Sequence, residues 1–168
     1  GPCMAGRRPT KTTGAASEGG DQKNIPYMLG PTSHDVMPPF IYKMAKDWCR
    51  LQADQGKQPS YAWFFDRMLP GDENGAWHSS DLWYWFGTLA NCWRPMTDKD
   101  HALSRQMSTY LTNFAKTGDP NGDGLTKWLP AQKGQNKVLR LGEKETHMGG
   151  VSMAKLNYTM LTNKAVGE

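Results

Sequence analysis

The sequence predicts an α/β fold, and three observations carry that reading. Strand-like apolar runs alternate with amphipathic helical stretches along the chain. Glycine and proline clusters punctuate the junctions between them. The 168 residues can form one domain with a sizeable core, and seven tryptophans supply large aromatic surfaces to fill it. Polar ends dilute this centre and bring the mean hydropathy down to −0.71.

Each element has its own signal. Residues 1–24 are rich in Gly, Ser, Thr and Lys with almost nothing to bury, so they read as a disordered or expression-derived tail. Gly1-Pro2 has the form of a protease scar. The domain is expected over residues 25–168. It opens with Ile25-Pro26-Tyr27-Met28-Leu29-Gly30, a short apolar strand ended by glycine. Pro38-Pro39 then begins a helix, because proline suits the first turn. Ile41, Met44, Ala45 and Trp48 recur at helical spacing through residue 54, and Gly56 stops the helix. A strand over residues 60–69 is closed by the turn formers Pro70-Gly71-Asp72-Glu73-Asn74-Gly75.

A short helix is predicted over residues 81–86, with Ser79, Ser80 and Asp81 expected to cap it. Thr97 followed by Asp100 makes a capping-box start for a long helix. Leu103, Met107, Tyr110, Leu111 and Phe114 give that helix its apolar face, and Gly118 with Pro120 ends it. Val138-Leu139-Arg140-Leu141 reads as a short strand, and Met153, Leu156, Tyr158, Met160 and Leu161 mark a terminal helix. Three short strands are few for a complete sheet. They read as one edge of something larger.

Several function classes drop out. The formal charge of +4 comes with both signs interspersed, and no Lys/Arg stripe interleaves with aromatics, so no nucleic-acid partner is expected. Three cysteines (Cys3, Cys49 and Cys92) are odd in number and widely spaced, which argues against a disulfide framework or a zinc site. Cys49 and Cys92 sit in or beside Trp-rich segments and read as buried thiols. No apolar run is long enough to span a membrane, and a reducing, cytoplasmic setting is the default expectation. Asp119-Pro120-Asn121-Gly122-Asp123-Gly124 imitates the start of a calcium loop, but Pro130 stands where the bidentate Glu is needed. Asn157-Tyr158-Thr159 fits the glycosylation sequon but falls in the predicted terminal helix. No metal and no cofactor are expected.

His78 is the leading candidate for chemistry. It lies in Gly75-Ala76-Trp77-His78-Ser79-Ser80-Asp81, a polar break after a core strand, where an α/β enzyme would present a general base. His34, His101 and His147 have weaker claims, since His101 falls in the first turn of a helix and His147 in a polar loop. Asp35 is the second candidate. It could accept the ring N–H of a catalytic histidine, or simply cap the helix that follows, and the residues alone leave both readings open. A separation of 43 residues leaves room for a helical crossover between neighbouring strands. No nucleophile accompanies them. Gly-x-Ser-x-Gly occurs nowhere, and the nearest approach, Ala15-Ala16-Ser17-Glu18-Gly19, follows no apolar strand.

Three segments taken together resemble the C-terminal part of type B carboxylesterases, the family of para-nitrobenzyl esterases, cholinesterase-like enzymes and some feruloyl esterases. They are Gly75 to Gly87, then Asn113-Phe114-Ala115-Lys116-Thr117-Gly118-Asp119-Pro120-Asn121, then Trp128-Leu129-Pro130. The resemblance runs from about Ile25 to Glu168. It implies part of an α/β-hydrolase fold and a Ser, Glu/Asp, His triad in that chain order. By position His78 matches the general base. Gly30 to Val36 resembles the family's Gly-x-x-x-Asp-Glu-Gly motif and puts Asp35 at the glutamate position, with Val36 in place of the last glycine. The nucleophile elbow and oxyanion-hole glycines would lie upstream.

The function expected from the resemblance is carboxylic ester hydrolysis, with a small-molecule ester, conceivably aromatic, as substrate. Strands made to border a larger sheet leave open edges, so association with the N-terminal portion of the same enzyme or with a second copy is expected. The alternative is a non-catalytic binding or adhesion module of the same fold. An aromatic-lined carbohydrate-binding module is a third reading, disfavoured because most tryptophans share segments with apolar neighbours.

Overall fold

The structure, a computed structural model, describes residues 22–71, 73–142 and 144–163. Most of the tail expected over residues 1–24, with the Gly1-Pro2, Cys3 and Ser17 readings, lies outside the described residues.

The run Ser60-Tyr-Ala-Trp-Phe-Phe65 has no polar face to turn to water, and it forms the centre of the sheet as β2 (Ser60–Phe65), buried at every position. β1 (Tyr27–Leu29) pairs with it in parallel, Met28 opposite Tyr61. β3 (Val138–Leu141) pairs in parallel on the other side, Phe64 opposite Arg140. β4 (His147–Gly149) lies antiparallel to β3, giving the order β1-β2-β3-β4.

Four helices flank the sheet: α1 (Pro38–Asp54), α2 (Leu82–Trp85), α3 (Asp98–Thr117) and α4 (Met153–Asn163). Alternate residues of β2 point to opposite faces. Tyr61, Trp63 and Phe65 pack with Leu103, Met107 and Tyr110 of α3 and with Trp128. Ala62 and Phe64 pack on the other face with Tyr42 and Cys49 of α1 and Leu156 of α4. The chain is therefore a mixed four-stranded sheet between two helical layers.

Local signals govern α3. Thr97 and Asp100 form the reciprocal capping box, and Gly118 closes the helix in the left-handed conformation at φ 78°. Leu103, Met107 and Tyr110 are buried as expected, while Leu111 and Phe114 are half-buried.

Other expectations need correction. The strand predicted over residues 60–69 ends at Phe65: Asp66 N still donates to Leu141 O, and the Arg67 side chain turns to Asp100. A fourth strand joins the expected three: His147 lies in β4, not in a loop, although its side chain is exposed as expected. The buried stripe of α1 is Tyr42, Ala45, Cys49 and Gln52, while Met44 is exposed and Ile41 and Trp48 are half-buried. Gln52 takes this place because its Nε2 donates to Lys23 O and Ile25 O. Order also begins before Ile25, since Gln22 is buried and donates to Trp48 O. In α4 only Leu156 of the expected stripe is buried, and Tyr158 and Leu161 face water. Cys49 is buried, but Cys92 is only half so.

Candidate active site

The stretch after β1 continues alongside β2 beyond the regular ladder. Phe65 N donates to Pro31 O, Ser33 N to Phe65 O and His34 N to Ala76 O, at 3.1, 2.8 and 2.8 Å. Two isolated parallel bridges result, Thr32 with Phe65 and His34 with Trp77. The second one sets the geometry, because the residues that follow in each segment are Asp35 and His78.

Two glycines make this approach possible. A Cβ on Gly30 would lie 2.2 Å from Trp63 O. Gly75 has φ +68°, and a Cβ there would lie 2.3 Å from the His34 ring.

His78 Nδ1 stands 2.8 Å from Asp35 Oδ1. The acid is protected, with its side chain 8% exposed, while the imidazole is 67% exposed. Val36 N also donates to Asp35 Oδ1, at 2.8 Å, and Thr32 Oγ1 donates to Oδ2 at 3.4 Å. Asp35 does not cap the following helix: Met37 is the N-cap residue of α1, without a side-chain cap bond. With Nδ1 held by the carboxylate, the opposite nitrogen, Nε2, is the one that would accept a proton from a reacting group. No hydroxyl or thiol among the described residues hydrogen-bonds to it.

His78 is followed by Ser79, a non-glycine residue with positive φ at 68°, in a turn closed by Ser80 N to Trp77 O. The capping expected from Ser79, Ser80 and Asp81 takes another form. No side chain caps α2. Asp81 Oδ2 instead accepts from Trp85 Nε1 at 2.9 Å, and Leu82 N donates to Ser79 O. Burial pushes the Asp81 carboxyl above its ordinary value, and the nearby Asp35 charge adds to that effect.

The other histidines stand apart from this pair. His34 turns to Ser33 Oγ at 2.9 Å, and burial, then the Lys155 charge, lower its pKa. His101 and His147 are exposed. Among the described residues, no three His, Cys, Asp or Glu side chains are grouped to hold a metal ion, and no helix is long and apolar enough to cross a membrane. The tryptophans divide: Trp63, Trp85 and Trp128 are core, and Trp93 is exposed with Arg94 over its ring.

Residues 23–159 match the profile of the carboxylesterase family. The chain belongs to that family. This carboxylesterase-family chain is 33% identical over 136 residues to the bile salt-activated lipase of Homo sapiens, a match covering 74% of the chain and 16% of the relative. It is 35% identical over 88 residues to carboxylesterase 4A of Bos taurus, covering 49% of the chain and 16% of the relative. Among solved structures, a PNB esterase superposes with a TM-score of 0.58 at 20% identity, over 74% of this chain and 26% of that one. The fold is part of an α/β-hydrolase. The chain thus spans about a sixth of the length of these curated relatives.

Proposed function

We propose that this chain is the C-terminal portion of a serine carboxylic ester hydrolase and supplies the general base His78 and the orienting acid Asp35. The observation that most supports this is the 2.8 Å contact between a protected carboxylate and a solvent-facing imidazole. A binding module of the same fold has no use for that pairing. In this reading the nucleophilic serine and the oxyanion donors belong to a portion of the enzyme outside this chain. The open edge of β1 and the exposed Val36, Met37, Phe40 and Met44 beside it suit association with that portion.

The chemistry follows. The serine oxygen attacks the ester carbonyl carbon as His78 Nε2 takes its proton. Asp35 holds Nδ1–H and stabilises the imidazolium. The tetrahedral intermediate collapses, the alkoxide leaves with the proton from His78, and an acyl-enzyme remains. Water, deprotonated by His78, then attacks the acyl carbon, and the serine leaves with the proton.

The test is complementation with a carboxylesterase portion that carries Gly-x-Ser-x-Gly. The chain alone is expected to show no turnover of nitrophenyl acetate. The complemented enzyme is expected to hydrolyse it, and His78→Ala to lower kcat by about 10²–10⁴-fold or more. A restored activity that His78→Ala left unchanged would overturn the assignment.

A further inference from the structure

A second concave site lies beyond the carboxyl ends of the parallel strands, on the face that α4 covers. It is a cavity of about 410 Å³, and neither Asp35 nor His78 lines it. The volume falls within the range of small-molecule sites, and the crevice outside strand carboxyl ends is where open α/β sheets receive ligands.

Its chemistry is polarised. Phe64, Val151 and Leu156 form an apolar floor, with Phe64 and Leu156 in the core below it. Around that floor, among the described residues, stand three cations, Arg140, Lys144 and Lys155, against one carboxylate, Asp66. Asp66 is already engaged by Arg140 Nη2, and Arg140 Nη1 donates to Gly150 O at 2.8 Å. Arg140 Nε is buried and finds no hydrogen-bond partner among the described residues. The same guanidinium lies over the Phe64 ring and lines the cavity, so its positive charge favours an anion held there. Gly150, Val151 and Ser152 bring the N-terminal end of α4 to the same rim, which adds positive potential. Burial and the nearby Lys155 charge both hold His34, which also lines the cavity, toward its neutral form.

We propose that this cavity binds an organic monocarboxylate whose hydrocarbon group sits on Phe64, Val151 and Leu156 while its carboxylate meets Arg140 and Lys155. Among the described lining residues Asp66 offsets one of the three cations, and the excess that remains attracts an anion. The apolar floor gives an organic acid contacts that an inorganic anion lacks. The site is separate from the Asp35–His78 pair, so it stands whether or not that pair is catalytic.

Phenylacetate is a suitable probe, titrated into the intact 168-residue chain and followed through backbone amide NMR shifts. Saturable shifts centred on Arg140, Val151 and Leu156 are expected, with little response to neutral phenylacetamide and weaker binding of inorganic phosphate. Lys144 and Lys155 are exposed, so a Lys144→Glu/Lys155→Glu variant should keep the spectrum of the remainder while binding phenylacetate at least about tenfold more weakly. Several outcomes would overturn the proposal. These are no saturation by concentrations on the order of 10 mM, equal binding of the amide, phosphate binding as tight as phenylacetate, or unchanged affinity in the double variant. Shifts centred on His78 instead would place the carboxylate elsewhere and overturn it as well.

Discussion

His34 and Trp77 form a single parallel bridge, and that one pairing puts Asp35 and His78 side by side although 43 residues separate them. The segment leading into the bridge is anchored, because Pro31 and Ser33, just before His34, are both bonded to Phe65. The acid therefore reaches the imidazole from a backbone tied to β2.

Asp35 variants test that relationship. Asn at this position keeps the shape but offers an amide that no longer enforces Nδ1–H, so the complemented enzyme should lose kcat on the order of 10³–10⁴-fold. Asp35→Glu keeps the charge but displaces it by a methylene, because the backbone latch does not move, and should fall between wild type and Asn. In the isolated chain the hydrogen-bonded Nδ1–H proton should give a low-field NMR signal that Asp35→Asn abolishes. An Asn variant with full activity would remove Asp35 from the mechanism.

Ser79 carries φ 68° directly after His78. A serine in the left-handed region costs about 1 kcal/mol or more, which glycine would relieve. Glycine also gains freedom in the unfolded chain, an opposing effect of about 0.4–1 kcal/mol. Ser79→Gly should therefore leave stability within about 1 kcal/mol of wild type. Ser79→Val has no such relief and should cost about 1–3 kcal/mol. The midpoints of urea unfolding curves decide between these outcomes.

The parts of this fold legible in the sequence are those set by neighbours in the chain. The Thr97–Asp100 capping box, the Gly118 terminus and the apolar run of β2 announce themselves locally. The Asp35–His78 pair was legible as two candidates at the ends of apolar runs, but its 2.8 Å contact depends on a bridge between distant segments. β4 escaped because His-Met-Gly has no strand pattern of its own and is shaped by the ladder that β3 offers. The buried stripe of α1 was misplaced because hydropathy gives no hint that Gln52 would be satisfied by two carbonyls of the segment preceding β1. The cationic cavity gathers residues from β2, β3, β4 and α4, which no window of sequence places together.

Cys49 is fully buried, and burial pushes its thiol from 9.0 up to about 12. Near pH 8.5 its thiolate is then rarer than that of an exposed cysteine by several powers of ten, on top of the steric protection. Iodoacetamide should modify Cys92, which is half-buried, long before Cys49. Peptide mapping by mass spectrometry checks the order, and adding urea above the unfolding midpoint should equalise the two rates. Native labelling of Cys49 at the rate of Cys92 would contradict the burial of α1 against β2.

Asp100 makes the acid limb of the stability curve predictable. Its side chain is fully buried and accepts from Arg67 Nε at 2.7 Å, Tyr84 Oη at 2.7 Å and Thr97 Oγ1 at 2.6 Å. Burial alone would raise the carboxyl, but hydrogen bonds from Arg67, Thr97 and Tyr84 outweigh it and hold the group well below the ordinary 3.8. The folded state thus binds this proton less readily than the unfolded chain does. The resulting stability is fully present above pH 3.8 and is lost as pH falls below that value toward the folded-state pKa. Asp100→Asn removes the buried charge that accepts from Arg67, Tyr84 and Thr97, so it should cost about 3–5 kcal/mol at pH 7. The same variant should flatten the decline below pH 4, because the group that titrates is gone. Urea unfolding at a series of pH values between about 2 and 7 measures both effects. A variant that lost stability at pH 7 yet kept the wild-type acid slope would move the titrating group away from Asp100.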